Sequence, residues 1–345
     1  MSRINKSTKL IIISITFILI LFLFYNWTVV VYGWSQLKGQ VRVMLEAVHY
    51  TEWIKQENVN DEQKRKILLV QEIKQFAHDS LGLKLTDNYS KVFDEKGEPV
   101  MLMLTVSPEF SLKPIQHHFP IIGSFDYIGY FDIEKAHSEK AKYKNEGYDV
   151  DLSPVGGWST LGWFSDPILS SALERNDGSL ADLVIHEVFH YTYFKPNDIA
   201  WNENHANFIG KKGAVKFLSY KYDPESKEIM EYKNFIHNLK EVKQILFFYS
   251  TKIDSMYKSP EFITLDWAAK KSLKDMYYKS IDDSLQDIIT QQNRSFEKIL
   301  MEINISKNAY LSSFLTYNNS SDSLEGVFIK DFHADLNLFI ENITK

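Results

Sequence analysis

Five consecutive residues near the middle of the chain, His186-Glu187-Val188-Phe189-His190, have the types and spacing of a hydrolytic zinc site. On an α-helix, residues four apart lie above one another on one face, so His186 and His190 can bind one metal ion from successive turns. Glu187, one step round the helix, can then act as general base on a water at that ion. Two imidazoles leave room for a third ligand and a water, which is the open coordination that a hydrolytic zinc needs.

A third ligand is expected shortly after this motif, and two residues compete for the role. Glu203 follows His190 by thirteen residues, after a turn at 196–198 that lets the chain reverse. His205 is the rival, but on a helix it points well away from Glu203. The precedent of two histidines and one carboxylate favours Glu203. Cysteine is absent, so thiolate ligands are excluded and a zinc site must use nitrogen and oxygen.

The residues around the motif predict a helix of about sixteen residues. Turn composition at 176–178 is followed by Ser179, which with Asp182 resembles a capping box at a helix start. Pro196 ends the segment. Between these limits apolar residues recur at helical spacing, namely Leu180, Leu183, Val184, Val188 and Phe189.

The motif and several other blocks resemble a family of bacterial proteins called putative aminopeptidases, a predicted branch of the gluzincin zinc peptidases. The similarity extends over roughly residues 33–340. The most specific blocks are 162–171, 183–190 and 202–206, and the further ones are 108–112, 119–120, 129–132, 147–150 and 308–317. The twelve residues between the motif and Glu203 are fewer than in thermolysin-like relatives, so the substrate sites of those enzymes do not transfer in detail.

Position by position, the resemblance implies zinc ligation by His186, His190 and Glu203, with Glu187 as catalytic base. It also implies Tyr317 as a hydrogen-bond donor to the tetrahedral oxyanion, because related peptidases use a tyrosine from this block. Weaker alternatives for that donor are Tyr310 and His333.

Other roles near the site stay open at the level of the sequence. Asp182 and Asn207 each lie one turn from a predicted ligand, in position to orient it. An aminopeptidase also needs an acidic group for the substrate α-amine, and the upstream candidates are Asp166 and Glu174. The segment 159–164 is expected to be the strand that edges the active site, where a peptide could add through backbone hydrogen bonds.

The coarse pattern predicts an α+β, predominantly helical fold, and the resemblance implies a gluzincin-like architecture. A sheet-containing part is expected over about 83–178, with strands near 100–106 and 119–131. The metal-binding helices would occupy 179–220. A helical part over 221–345 would contain a long hairpin of two helices at 224–257 and 261–303, broken near Pro260. Two helices at 36–56 and 61–82 would precede the sheet.

The N-terminus predicts a transmembrane helix. Residues 10–32 contain no charged side chain and would span about 34 Å as a helix, and basic residues precede them. The length favours an uncleaved anchor at 1–34 over a cleaved signal peptide. The chain would then be a single-pass protein of a bacterial inner membrane, with residues 35–345 forming an extracytoplasmic, periplasmic metallopeptidase domain. Aromatic residues suited to the interface are Trp27, Tyr32 and Trp34.

Together these features predict a membrane-anchored zinc metallopeptidase that acts on peptides or proteins, with aminopeptidase action suggested by the resemblance. The formal charge of −6 on 345 residues gives no electrostatic reason to expect nucleic acid as a partner. Two other functions remain open: another zinc amide hydrolase, for example on a cell-wall amide, and a non-catalytic, membrane-tethered binding module. The intact Glu187 argues against the second of these.

Overall fold

The chain is mostly helical with small sheets, as seen in a computed structural model. The structure describes residues 5–119, 123–155, 165–196, 198–291, 301, 303, 306–317 and 321–344. The principal α-helices are α1 (Lys6–Tyr25), α2 (Trp27–Glu46), α3 (Tyr50–Trp53), α4 (Asp61–Leu81), α5 (Ile133–Asn145), α6 (Asp177–Thr192), α7 (Ile199–Lys221), α8 (Lys227–Lys258), α9 (Pro260–Thr264), α10 (Trp267–Gln291), α11 (Asn308–Tyr317), α12 (Ser321–Phe332) and α13 (Leu336–Thr344).

Within the described residues, the strands form two three-stranded sheets and a separate two-stranded pair. They are β1 (Val48–His49), β2 (Lys91–Phe93), β3 (Leu102–Ser107), β4 (His117–Phe119), β5 (Gly123–Phe125), β6 (Tyr127–Tyr130), β7 (Asp149–Pro154) and β8 (Ile168–Leu169). The first sheet has the order β1-β2-β8 and the second has the order β6-β3-β7, with β4 and β5 paired separately. In the second sheet β3 is antiparallel to both neighbours, with Leu104 opposite Ile128 on one side and Leu152 on the other. The predicted strand at 100–106 is confirmed as β3.

The prediction of a transmembrane helix is wrong. Among the helices that the structure describes, none combines the length and the apolar composition that a bilayer crossing requires. The apolar stretch 10–32 is divided at Asn26, where α1 has ended and α2 is about to begin. Its uninterrupted part, 10–25, spans about 24 Å, short of a hydrocarbon core of about 30 Å. The single-pass inner-membrane location, the periplasmic placement and the membrane as a partner were inferred from that helix and are corrected with it.

Helix α2 packs on the second sheet rather than continuing α1. The hydroxyl of Tyr32 and the side-chain amide of Gln36 both donate to the carbonyl oxygen of Gly129, each at 3.0 Å. Tyr32 also contacts the ring of Phe119, with centroids 5.3 Å apart. Tyr32 was predicted to belong to an interfacial aromatic belt, but its partners are in β4 and β6.

The largest core lies between α4, α6 and α7, which pack with α13 and the first sheet. Fully buried residues from these helices include Ile73, Val184, Phe189, Ile209 and Phe217. On the outer side of α7, Phe208 contacts Phe328 and Phe339, with ring centroids 5.2 and 5.3 Å apart. The packing of α4 and α7 against α6 buries the HExxH helix within this core.

Of the helical pair predicted for the C-terminal half, the first helix is found as α8, whereas the second divides into α9 and α10, and residues 292–300 lie outside the described residues. These helices enclose a second core with α11. The expected break is confirmed, since Pro260 is the first residue of α9. Asn308, at the start of α11, joins this core to the sheet region. Its Oδ1 accepts from the hydroxyls of Tyr257 (3.0 Å) and Tyr278 (2.9 Å), and its Nδ2 donates to the carbonyls of Pro108 (3.1 Å) and Glu109 (2.8 Å).

Candidate metal centre

Helix α6 carries the HExxH residues and has the sixteen residues expected from the sequence. Its cap is Asn176, whose side chain accepts from the backbone N–H of Ser179 at 2.7 Å. The predicted capping box starting at Ser179 is therefore wrong, because the helix begins two residues earlier. The run Asn176-Asp177-Gly178 suits a turn and also suits the start of a helix, so the sequence alone did not show which residue caps α6.

Asp177 fixes the first turn of α6 to two other helices. Its carboxylate accepts from both guanidinium nitrogens of Arg65 at 2.8 Å and from Nζ of Lys66 at 2.6 Å, both on α4. It also accepts from the hydroxyl of Tyr222, which follows α7, at 2.5 Å. Burial alone would raise the pKa of Asp177, but these hydrogen bonds outweigh it and hold the pKa well below its ordinary value. The axis of the ligand-bearing helix is thus anchored at its N-terminal end.

Two glycines let α7 pack directly against α6. A Cβ added at Gly210 would lie 2.4 Å from Oδ1 of Asp182 and 2.8 Å from its backbone oxygen. A Cβ at Gly213 would lie 2.9 Å from Cγ2 of Ile185. Neither position tolerates a side chain at the present helix separation. Glu203 lies two turns before Gly210, so this close approach brings its carboxylate to the motif.

His186, His190 and Glu203 converge on one point. The Nε2 atoms of the two histidines are 3.1 Å apart. Glu203 presents Oε2 at 3.7 Å from Nε2 of His186 and Oε1 at 3.3 Å from Nε2 of His190. When each residue contributes a single atom, the three atoms lie within 4.8 Å of one another. The structure therefore brings the three predicted ligands together.

The electrostatics of this cluster suit a cation. Burial, followed by the neighbouring His190, lowers the pKa of His186 to about 4, although Glu203 opposes the shift. A hydrogen bond from His190 lowers the pKa of Glu203 despite its partial burial. His186 is thus neutral near pH 7 with its lone pair available, and Glu203 is ionised. The side chain of Glu203 is 38% exposed, against 5% for His190, so the cluster opens to solvent on the Glu203 side.

Glu187 lies next to His186 on α6, and its Oε2 atom is buried. A residue from outside α6 that senses the charge of Glu187 was not predicted from the sequence. Tyr89 is fully buried, and burial followed by the charge of Glu187 raises its pKa well above the ordinary value. Tyr89 also has φ +62°, an unfavourable backbone conformation for a tyrosine, and its N–H donates to the carbonyl of Asp166 at 2.7 Å. The only sequence signal at Tyr89 was that residues 88–90, Asn-Tyr-Ser, have a composition typical of a turn.

His205, the rival ligand, lies outside the cluster. Its ring stacks on Trp201 with centroids 3.8 Å apart, and its Nδ1 lies 2.8 Å from the carbonyl oxygen of Trp201. Asn207 donates its side-chain amide to the backbone carbonyl of Glu203 at 2.7 Å, so it supports the helix rather than the ligand carboxylate. Asp182 is partly buried against Gly210 of α7 and accepts from the hydroxyl of Tyr232 at 3.0 Å. The hydrogen bonds of the described residues include none between Asp182 and His186, so the orienting role of Asp182 stays a prediction.

The other residues that the sequence predicted for the site lie in different parts of the fold. Tyr317 ends α11, but its side chain lies outside the described residues, as does the predicted edge strand 159–164. Tyr310 packs against the second core, and His333 is exposed with φ +52°. Asp166 is buried beside Tyr89, whereas Glu174 is exposed on a short 3-10 helix (Ser170–Glu174).

Comparison with known proteins gives one match. A family model with the description "Putative aminopeptidase" matches residues 31–345, nearly the whole chain. Neither the curated proteins nor the solved structures contain a match.

Proposed function

Because the chain belongs to the "Putative aminopeptidase" family, we propose that it is a zinc metallopeptidase that removes residues from the N-termini of peptides. The family membership that the sequence predicted is confirmed, and it indicates a peptidase. The proposal adds three finer statements, which are the zinc ion, the gluzincin-type ligand set of His186, His190 and Glu203, and Glu187 as the base.

The observation that carries the proposal is the spacing of the three ligand groups. Zinc bonds of about 2.0–2.1 Å to nitrogen and oxygen place tetrahedral ligand atoms about 3.3 Å apart. The separations here are 3.1 Å between the imidazoles and 3.3 and 3.7 Å from the imidazoles to the carboxylate. Rotation of the half-exposed Glu203 carboxylate accommodates the longer distance. Two imidazole nitrogens and one carboxylate oxygen are also the donor types that zinc prefers, so the residues fit the ion.

A zinc ion held by these three residues supplies a Lewis acid that acidifies water and polarises a peptide carbonyl. Glu187 accepts the proton of the attacking water and passes it to the leaving amine. In our proposal Tyr317 donates a hydrogen bond to the carbonyl oxygen as negative charge develops there. The burial of His190 and the anchored α6 keep the ligands fixed while the exposed side of Glu203 admits substrate.

The proposal is tested with purified full-length protein and a peptide library. We expect stoichiometric zinc in the wild type and release of single N-terminal residues, detected by mass spectrometry. Glu187→Gln should retain zinc and lose at least about 100-fold in kcat, the usual contribution of a general base. Glu203→Gln should lose zinc.

Glu57→Gln is the matched control, since Glu57 is an exposed carboxylate outside the cluster with no proposed role in the site. It should change neither zinc content nor rate. Wild-type protein that binds no zinc, or a Glu187→Gln variant that cleaves peptides at the wild-type rate, would refute the proposal. Internal cuts alone would retain the peptidase and refute the aminopeptidase assignment.

A further inference from the structure

Tyr232 of α8 lies along the first turns of the HExxH helix and is fully buried. Its ring covers Gly178 in the first turn of α6, where an added Cβ would lie 2.2 Å from Cγ of Tyr232. Its hydroxyl reaches the next turn and donates to Oδ2 of Asp182 at 3.0 Å. The side chain therefore spans one turn of α6 in the direction of His186, which follows Asp182 by one further turn.

The carboxylate that receives this hydrogen bond lies between α6 and α7. A Cβ added at Gly210 of α7 would lie 2.4 Å from Oδ1 of Asp182 and 3.2 Å from Cβ of His186. One position on α7 therefore lies against both side chains. Since Oδ2 is bound by α8 and Oδ1 lies at α7, Asp182 joins both helices to α6 one turn before the first metal ligand.

The orientation of this carboxylate bears on the position of Glu203. Without the hydrogen bond from Tyr232, the carboxylate would be free to rotate, and Oδ1 would press on Gly210 or withdraw from it. Gly210 has no side chain that could absorb this movement, so the spacing of the two helices would follow it. Glu203 lies two turns before Gly210 on the same helix, and a metal site tolerates errors of only about 0.2 Å in its bond lengths.

We propose that Tyr232 is a positioning residue of the metal centre. Its hydroxyl fixes the carboxylate of Asp182, and this carboxylate sets the separation of α6 and α7 that brings Glu203 to the two histidines. The inference rests on the proposed function for the identity of the metal ion. It extends the centre to α8, the helix that also packs with α10 in the second core.

The role of Tyr232 is tested with Tyr232→Phe in the full-length protein, which keeps the ring on Gly178 and removes only the hydroxyl. We expect zinc to bind about tenfold more weakly in competition with a chromogenic chelator, as when groups that orient metal ligands are removed. With cobalt in place of zinc, the absorption bands of the metal should shift, because they report its coordination geometry.

Tyr249→Phe is the matched control, because Tyr249 lies on the same helix and its hydroxyl is hydrogen-bonded to Ser284 of α10 at 3.0 Å. Both variants lose one hydrogen bond of a tyrosine hydroxyl, so both should unfold at a lower urea concentration than the wild type. Only Tyr232→Phe should change the zinc affinity and the cobalt spectrum.

Two further variants show whether Tyr232 acts through Asp182. Asp182→Ala removes the carboxylate, so adding Tyr232→Phe to it should change the zinc affinity by no more than about twofold. Gly178→Ala should weaken zinc binding, because the added Cβ would displace the ring of Tyr232. It supplies the test independently should Tyr232→Phe fail to fold.

Equal zinc affinity in Tyr232→Phe and Tyr249→Phe would overturn the positioning role, as would a full tenfold loss, or about that, when Tyr232→Phe is added to Asp182→Ala. Peptide cleavage by the wild-type protein separates these results from the proposed function. Zinc binding that depends on Tyr232 in a protein that cleaves no peptide would refute the peptidase and retain the positioning role. A wild-type protein that binds neither metal would overturn both.

Discussion

Replacement of Gly210 by alanine tests whether the spacing between α6 and α7 builds the metal centre. The added Cβ would lie 2.4 Å from Oδ1 of Asp182 and 2.8 Å from its backbone oxygen, and ordinary contact begins at 3.4 Å. The carboxylate can rotate, but the backbone oxygen belongs to α6 and cannot move alone. The two helices must therefore separate by about 0.6 Å at this position, the difference between those contact distances.

This separation has two measurable consequences. Overpacking should reduce the free energy of unfolding by about 1–3 kcal/mol, measured by urea denaturation. Glu203 lies on α7 two turns away, and metal sites tolerate errors of only about 0.2 Å in their bond lengths. We expect zinc affinity, measured by competition with a chromogenic chelator, to fall at least about tenfold, as it does when groups that orient ligands are removed.

Gly326→Ala is the matched control for this substitution. Gly326 lies within α12, and a Cβ added there would meet nothing within 4 Å. Alanine should stabilise that helix by up to about 1 kcal/mol and leave zinc affinity unchanged. If Gly210→Ala binds zinc as tightly as Gly326→Ala, the reasoning that helix separation sets the site is refuted.

Four further outcomes are expected. Glu203→Ala should abolish stoichiometric zinc binding while His205→Ala retains it, and equal zinc loss in the two would contradict the ligand assignment. Asp177→Asn should cost about 3 kcal/mol at pH 7, because it removes the close carboxylate partner of the buried Lys66 ammonium. Since the folded pKa of Asp177 is depressed, its contribution is complete above the ordinary value of 3.8 and is lost as pH falls below it, so the variant's deficit in urea unfolding should shrink there. Asn308→Ala should lower stability by roughly 3 kcal/mol or more, because it orphans two tyrosine hydroxyls and two carbonyls; a normal melting temperature would contradict this. Tyr317→Phe should lower kcat at least about tenfold with zinc content unchanged, and wild-type turnover would remove Tyr317 from the mechanism.

The sequence predicted the parts of the site that depend on local spacing. The i, i+4 geometry of His186 and His190 follows from helical periodicity, and the choice of Glu203 over His205 follows from the direction of each side chain on the next helix. The approximate bounds of α4, α8 and β3 follow from hydrophobic patterns and turn residues. These features are properties of short segments, so a single sequence contains enough information to predict them.

What the sequence did not predict depends on contacts between distant segments. Gly210 and Gly213 were given no role in the sequence analysis, and only the packing of α7 shows that they permit close approach. Tyr89 is separated by almost a hundred residues from Glu187, so no periodicity relates them. The N-terminal error has a similar cause: residues 10–32 were taken as one membrane-spanning helix because they contain no charged residue, but the helix breaks at Asn26 and α2 packs onto Gly129.

The two faces of α7 find their packing partners at different times during synthesis. The face toward α6 does so early, and the face that carries Phe208 does so late. Both ligand-bearing helices are complete by residue 221, so the hairpin that binds the metal has low contact order and can form early in synthesis. Phe208 meets its partners Phe328 and Phe339 only after a further hundred residues have been made. Until then the apolar face of α7 that carries Phe208 is exposed to solvent, which makes the incomplete chain prone to aggregation. Chains truncated before α12 should therefore precipitate or require chaperones, even though every metal ligand is present.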